Sequence, residues 1–306
     1  MNNWLKIALC SATAVLAACG GGGGGTATPA TPSGPQAVSI KFGAVAGIAN
    51  TAVNCSTALT GLGSTSKGAQ LADLRFYVTN VQLVNDQGVA VPVTLTSNAW
   101  QYTSGAETVT LIDLEDGTGA CAASTSGAGT SGTNSVVTGT VPAGNYVKLK
   151  ATIGVPEAMN HSDPMMAPPP LDRTDMGWSW QNGYKFIKFE LNPTGGTTDG
   201  TTPANTYSLH IASTNCTGGN VATATCANKN LAQFTLDFNQ ATQQVVLDVA
   251  ELLNTTALNT YASPAVGCMS DTSDADCTNV FPKLGLTLAT GGQAGTQTVF
   301  RVIAKN

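Results

Sequence analysis

Short runs in which apolar and polar residues alternate, or in which β-branched and aromatic residues crowd together, recur at 37–45, 74–84, 89–95, 108–114, 136–141, 146–154, 184–191, 206–213, 231–238, 244–249 and 297–304. Gly, Asn, Pro and Asp punctuate them. A period of two places alternate side chains on opposite faces of a strand, and many short strands separated by turn residues predict an antiparallel sandwich or barrel. The expectation carried forward is an all-β fold, a Greek-key-like antiparallel β-sandwich with long loops and disulfides, spanning residues 37–306. Helical periodicity is confined to 248–254 and to a stretch near Leu71.

Two segments break the pattern. Residues 120–134 are Gly, Ser and Thr with almost nothing apolar and predict a surface loop beside Cys121. Residues 156–177 hold five prolines, four methionines and His161. A loop of that length is usually functional or disordered, and its prolines make it stiff. It runs into DMGWSWQNGYKF at 175–186, where Trp178 and Trp180 are one residue apart and would share a strand face.

Composition narrows the class. Charged residues make up 10% of the chain and the net charge is −5, with no Lys/Arg cluster to neutralise phosphates, so a nucleic-acid role is excluded. Residues 1–18 read as an export signal, with Lys6 followed by an apolar stretch too short to span a membrane. The signal ends in Leu-Ala-Ala-Cys-Gly, which resembles a bacterial lipobox and makes Cys19 the expected lipidated residue of an outer-membrane lipoprotein, on its periplasmic or cell-surface face. Residues 19–36 lack hydrophobic pattern and predict a flexible tether. Of eight cysteines, Cys10 and Cys19 fall in these leading segments, leaving Cys55, Cys121, Cys216, Cys226, Cys268 and Cys277. An even number in an exported domain implies disulfides, and no C-x-x-C suggests structural zinc. Six cysteines allow fifteen connectivities, among which sequence does not choose; the expected pairing is Cys55 with Cys121, Cys216 with Cys226, and Cys268 with Cys277.

The chain has two histidines. In YSLHIAST, His210 alternates with Leu209 and Ile211 and points away from the apolar set, as a hydrogen-bonded or surface imidazole also would. Trp178 and Trp180 bury enough area to be ordinary core. The competing reading comes from the neighbouring loop, because imidazole and thioether suit copper. Indole is a poor ligand, since its N–H only donates, so a tryptophan that coordinates metal must first be altered. Of Met159, Met165, Met166 and Met176, most are read as apolar filler. Asp271, Asp274 and Asp276 lack calcium-loop spacing, and Asp172, Asp175 and Glu190 make a weak sugar-cleft set. No G-x-S-x-G, H-E-x-x-H or phosphate-cradling motif is present, so the expectation is a non-enzymatic protein.

Five blocks taken in order carry a resemblance: LADLRFYVTNVQLV at 71–84, GVPEAMNHSDP at 154–164, MGWSWQNGYKFIKFEL at 176–191, YSLHIASTNC at 207–216 and VGCMSDTSDADCTNVFPKLGL at 266–286. Together the chain resembles the metallo-mystery pair proteins with a four-Cys motif, akin to the MbnP-like copper-binding proteins. The resemblance implies a β-rich copper protein whose partner is a dihaem cytochrome c peroxidase-like (MbnH-like) protein. It also implies His161 and His210 as ligands, Trp178 or Trp180 as the residue oxidised to kynurenine, and Cys216, Cys226, Cys268 and Cys277 as the four-Cys motif. The rivals are a redox substrate of that partner with no carrier role, and a glycan-binding or adhesive β module that stacks sugars on exposed tryptophans.

Overall fold

The computed structural model describes residues 34–123, 130–179, 181–220, 222–262 and 264–305. The expected signal, Cys19, most of the tether and Trp180 lie outside the described residues. The main elements are β1 (Gln36–Ala46), β2 (Lys67–Asn85), β3 (Glu107–Asp113), β4 (Val136–Val141), β5 (Tyr146–Ile153), α1 (Glu157–Asn160), β6 (Gly177–Ser179) and β7 (Gly183–Pro193). They continue with β8 (Tyr207–Ala212), β9 (Thr214–Thr217), β10 (Thr225–Asn228), β11 (Ala232–Asp237), β12 (Gln243–Asp248), α2 (Val249–Leu253) and β13 (Phe300–Ala304).

Among the described residues the smaller sheet runs β13-β12-β1-β4 and the larger β11-β5-β2-β7-β8, with β3 beside β2 and β6 beside β7. Most pairings are antiparallel, while β1 with β12 is parallel. This is the all-β sandwich that the alternation predicts. Its core lies between the sheets, where Phe42 of β1 meets Phe76 of β2 edge-on at 6.0 Å, Phe76 meets Phe300 at 5.7 Å, and Phe234 stacks on Phe300 at 5.3 Å. Aromatic pairs in these geometries add to the gain from removing their area from water.

The stretch near Leu71 is not helical: it lies inside β2, with Leu71 opposite Leu191 of β7. Its apolar run is that of a strand covered on both faces, which period alone does not separate from a buried helix. The expected strand at 89–95 is two pieces, Ala90–Pro92 on the larger sheet and Thr94–Leu95 on the smaller, so the chain changes sheets at the buried Val93. The helical turn expected at 248–254 is α2, capped by Asp248, whose carboxylate accepts from the Ala250 and Glu251 amides. All three expected disulfides form: Cys55 with Cys121, Cys216 with Cys226, Cys268 with Cys277.

Period two accounts for the second layer. In β2, Leu74, Phe76 and Val78 enter the intersheet core, so Asp73, Arg75 and Tyr77 face the other way. That outer face is also buried, because residues 156–177 pack over it. Met159, Leu171 and Met176 from this segment join Tyr77, Val109, Leu111, Tyr184 and Phe186 in a separate apolar cluster. The proline-rich loop is a fixed cover rather than a strap in solvent.

Candidate metal centre

The cover hides charge as well as hydrocarbon. Across β2, β7 and β8 the register places Arg75, Lys188 and His210 side by side, and Asp73, Glu190 and Ser208 in the adjacent row. All six are buried. Taking such groups out of water is costly unless each is paired. Arg75 donates to Asp73 through Nε at 2.9 Å and Nη2 at 2.5 Å, and Lys188 donates to the same carboxylate at 2.5 Å. Arg75 also pairs with Asp175 of the covering loop. Lys185 holds that loop by donating to the Asp175 and Gly177 carbonyls at 2.9 and 3.1 Å, and burial lowers its pKa to about 8.

His210 sits at the end of the array. Its Nε2 is hydrogen-bonded with Oε1 of Glu190 at 2.9 Å. Burial lowers the imidazole pKa from its ordinary value, with the Glu190 hydrogen bond acting in the opposite sense. The Trp178 ring on β6 stands edge-on to the His210 ring, centroids 6.2 Å apart and planes at 87°. Trp178 is 37% exposed and His210 is 6% exposed, so the pair runs from surface to interior. On the outer side Trp178 lines a cavity of about 200 Å³ with Ser162, Pro164, Met165, Thr174 and Gly183.

His161 follows α1 and is buried. Its Nε2 lies 3.8 Å from the Glu157 carboxylate and 3.7 Å from Cys226 Sγ. These three donor atoms fall within 4.8 Å of one another, but Cys226 is bonded to Cys216 and offers no thiolate. The loop beside His161 is tied towards β8: Asn160 donates to Ser213 Oγ at 3.4 Å and accepts from the Tyr184 amide at 3.0 Å. Gly183 permits this closeness. At φ 77° it takes a conformation that other residues rarely adopt, and a Cβ there would meet the Asn160 amide at 2.4 Å.

The structure therefore joins Trp178 to His210 and places His161 with Glu157. Met159 and Met176 fill the second apolar cluster, as filler would, while Met165 and Met166 are exposed. Glu190 is engaged with His210 and Asp175 with Arg75. Asp271, Asp274 and Asp276 accept hydrogen bonds from amides of their own loop or of Ala262. The charged rows were not anticipated from sequence. Their signal was present in LADLRFYV and FIKFEL, where charges alternate with large apolar residues in a chain poor in charge.

Fold and site define a disulfide-bonded β-sandwich with a buried histidine held by a carboxylate and flanked by tryptophan. The family model described as MbnP matches residues 35–270, and the chain belongs to that family. Among solved structures, MbnP from Methylosinus trichosporium is similar, with a TM-score of 0.79 and 32% sequence identity; the match covers 89% of this chain and 100% of that one. A comparison with curated proteins finds no match.

Proposed function

We propose that this chain is an exported, lipid-anchored, non-catalytic copper-binding protein. In this reading it takes copper at His210 with His161 as the second imidazole, and a third donor arises when Trp178 or Trp180 is oxidised to kynurenine by a dihaem peroxidase-like partner. The observation that carries it is the edge-on contact between Trp178 and the buried His210. The donor set fits the metal: neutral imidazole suits copper, and burial favours the neutral ring. Oxidation to kynurenine removes the objection to tryptophan, because it exposes an aromatic amine with an available lone pair. The partial exposure of Trp178 leaves that ring open to an oxidising partner. Copper, when bound, supplies a centre that takes up and releases one electron.

Metal analysis of the purified exported protein, beside His210→Ala and His161→Ala, tests the ligands. Loss of copper in the His210 variant is expected; unchanged stoichiometry and affinity overturn the site. Peptide mass spectrometry across 177–185, from cells with and without the haem partner, tests the modification. Kynurenine is expected only with the partner present, and unmodified tryptophan in both samples overturns that step. Modified peptide without bound metal would leave a redox substrate in place of a copper carrier.

A further inference from the structure

We infer that Glu190 is the positioning residue of this site, fixing His210 in the Nε2–H tautomer so that Nδ1 presents the lone pair to the metal. The inference rests on the copper reading above and assigns a role to a side chain that touches no metal. Glu190 is fully buried, and its Oε1 lies 2.9 Å from His210 Nε2. An ionised carboxylate only accepts hydrogen bonds, so the nitrogen facing it carries the proton. Among the described residues this is the side-chain hydrogen bond that the His210 ring makes, which leaves Nδ1 to accept a ligand bond.

Glu190 stands among charged neighbours. Lys188 lies two residues away on the same strand face, and Lys185 and Glu190 act electrostatically on one another. Asp73, opposite Glu190 in the register, is bonded to both Arg75 and Lys188, so the adjacent anion is itself compensated. The Trp178 ring stands perpendicular to the imidazole, centroids 6.2 Å apart. The ring is thus held by a bond from β7 and a flank from β6. Carboxylate-held imidazoles are more basic donors, and their carboxylate partners typically affect metal affinity about 10–100-fold. An anion beside the ligand also favours the more positive oxidation state of copper.

The decisive measurement is made on metal-free, ¹⁵N-histidine-labelled protein by long-range ¹H–¹⁵N correlation. The chain has two histidines, so His161→Ala assigns the His210 signals. In the wild type at neutral pH a single Nε2–H tautomer with an unprotonated Nδ1 is expected. In Glu190→Leu a mixed or inverted tautomer is expected, with copper affinity lower by about 10–100-fold and a higher copper reduction potential. In Glu190→Gln, whose amide oxygen can still accept the bond, the Nε2–H tautomer is expected to return with most of the affinity. An Nδ1–H tautomer in wild-type protein that binds copper overturns the Glu190 assignment alone and needs no variant to fold. The Nε2–H tautomer in protein that binds no copper overturns the copper reading and, with it, the ligand role given to Nδ1. Unchanged tautomer and affinity in Glu190→Leu also overturn the assignment.

Discussion

Asp73 receives both Arg75 and Lys188 on one carboxylate, away from water. Replacing it removes an anion shared by two buried cations, and breaking a buried pair from one side costs more than the intact pair contributed. Asp73→Ala is therefore expected to destabilise the protein by about 3–5 kcal/mol, read from chemical denaturation. Asp73→Asn should cost less, because an amide oxygen still accepts. A loss under about 1 kcal/mol for the alanine variant would mean that Asp175 and water compensate the cations. At this scale sequence was a partial guide. Alternation located His210 on the polar side of its strand, yet gave no partner for it, because Glu190 is twenty residues away in sequence and adjacent only through strand register.

The covering segment 156–177 is where sequence and structure diverge most usefully. Its prolines announced stiffness, but nothing local announced that it would close over charges. That depends on three anchors, one from β2 and two from the start of β7. Tyr184 Oη donates to the Leu171 carbonyl at 2.7 Å and lies 3.3 Å from the Ser162 carbonyl, and Tyr77 Oη donates to the Pro170 carbonyl at 3.1 Å. Lys185 holds the end nearest Trp178. Tyr184→Phe keeps the ring in its apolar cluster and removes only the phenol. Global stability is expected to fall by about 1 kcal/mol, the usual net worth of a hydrogen bond. Amide hydrogen exchange should accelerate within 160–172 while β2 and β7 stay protected, because local opening is cheaper than unfolding. Exchange that rises evenly across the sheets would show instead that cover and sandwich open as one unit. The helix expected near Leu71 failed for a related reason: until the cover is in place, nothing says that both faces of β2 are dry.

For the molecule as a whole, both core and crosslinks set stability, and one buried carboxyl makes that stability depend on pH. The Cys55–Cys121 bond closes a 66-residue separation and is buried, so replacing both cysteines with serine is expected to cost about 2–5 kcal/mol in thermal or chemical denaturation. Asp113 ends β3 opposite Arg75 in the register and is buried. Burial pushes its carboxyl up from 3.8 to about 8, with Arg75 opposing and Glu115 and Asp73 adding to the rise. Its folded pKa lies above the unfolded one, so between those values the folded state holds a proton that the unfolded chain has released. The stability from this group is complete below the unfolded pKa and is lost as pH rises to about 8. Asp113→Asn mimics the protonated carboxyl at every pH and removes that slope. Denaturation of both proteins across this range should therefore give a variant that gains on the wild type as pH rises. Curves that stay parallel would place Asp113 as an ordinary ionised partner of Arg75, and the pH dependence would then have to come from Lys185 or His210. Those two have folded pKa values that burial lowers, so each contributes stability that grows as pH rises, the opposite sign. A wild-type deficit against Asp113→Asn that widens as pH rises thus identifies Asp113, whereas a constant difference with both stabilities rising with pH points to Lys185 or His210.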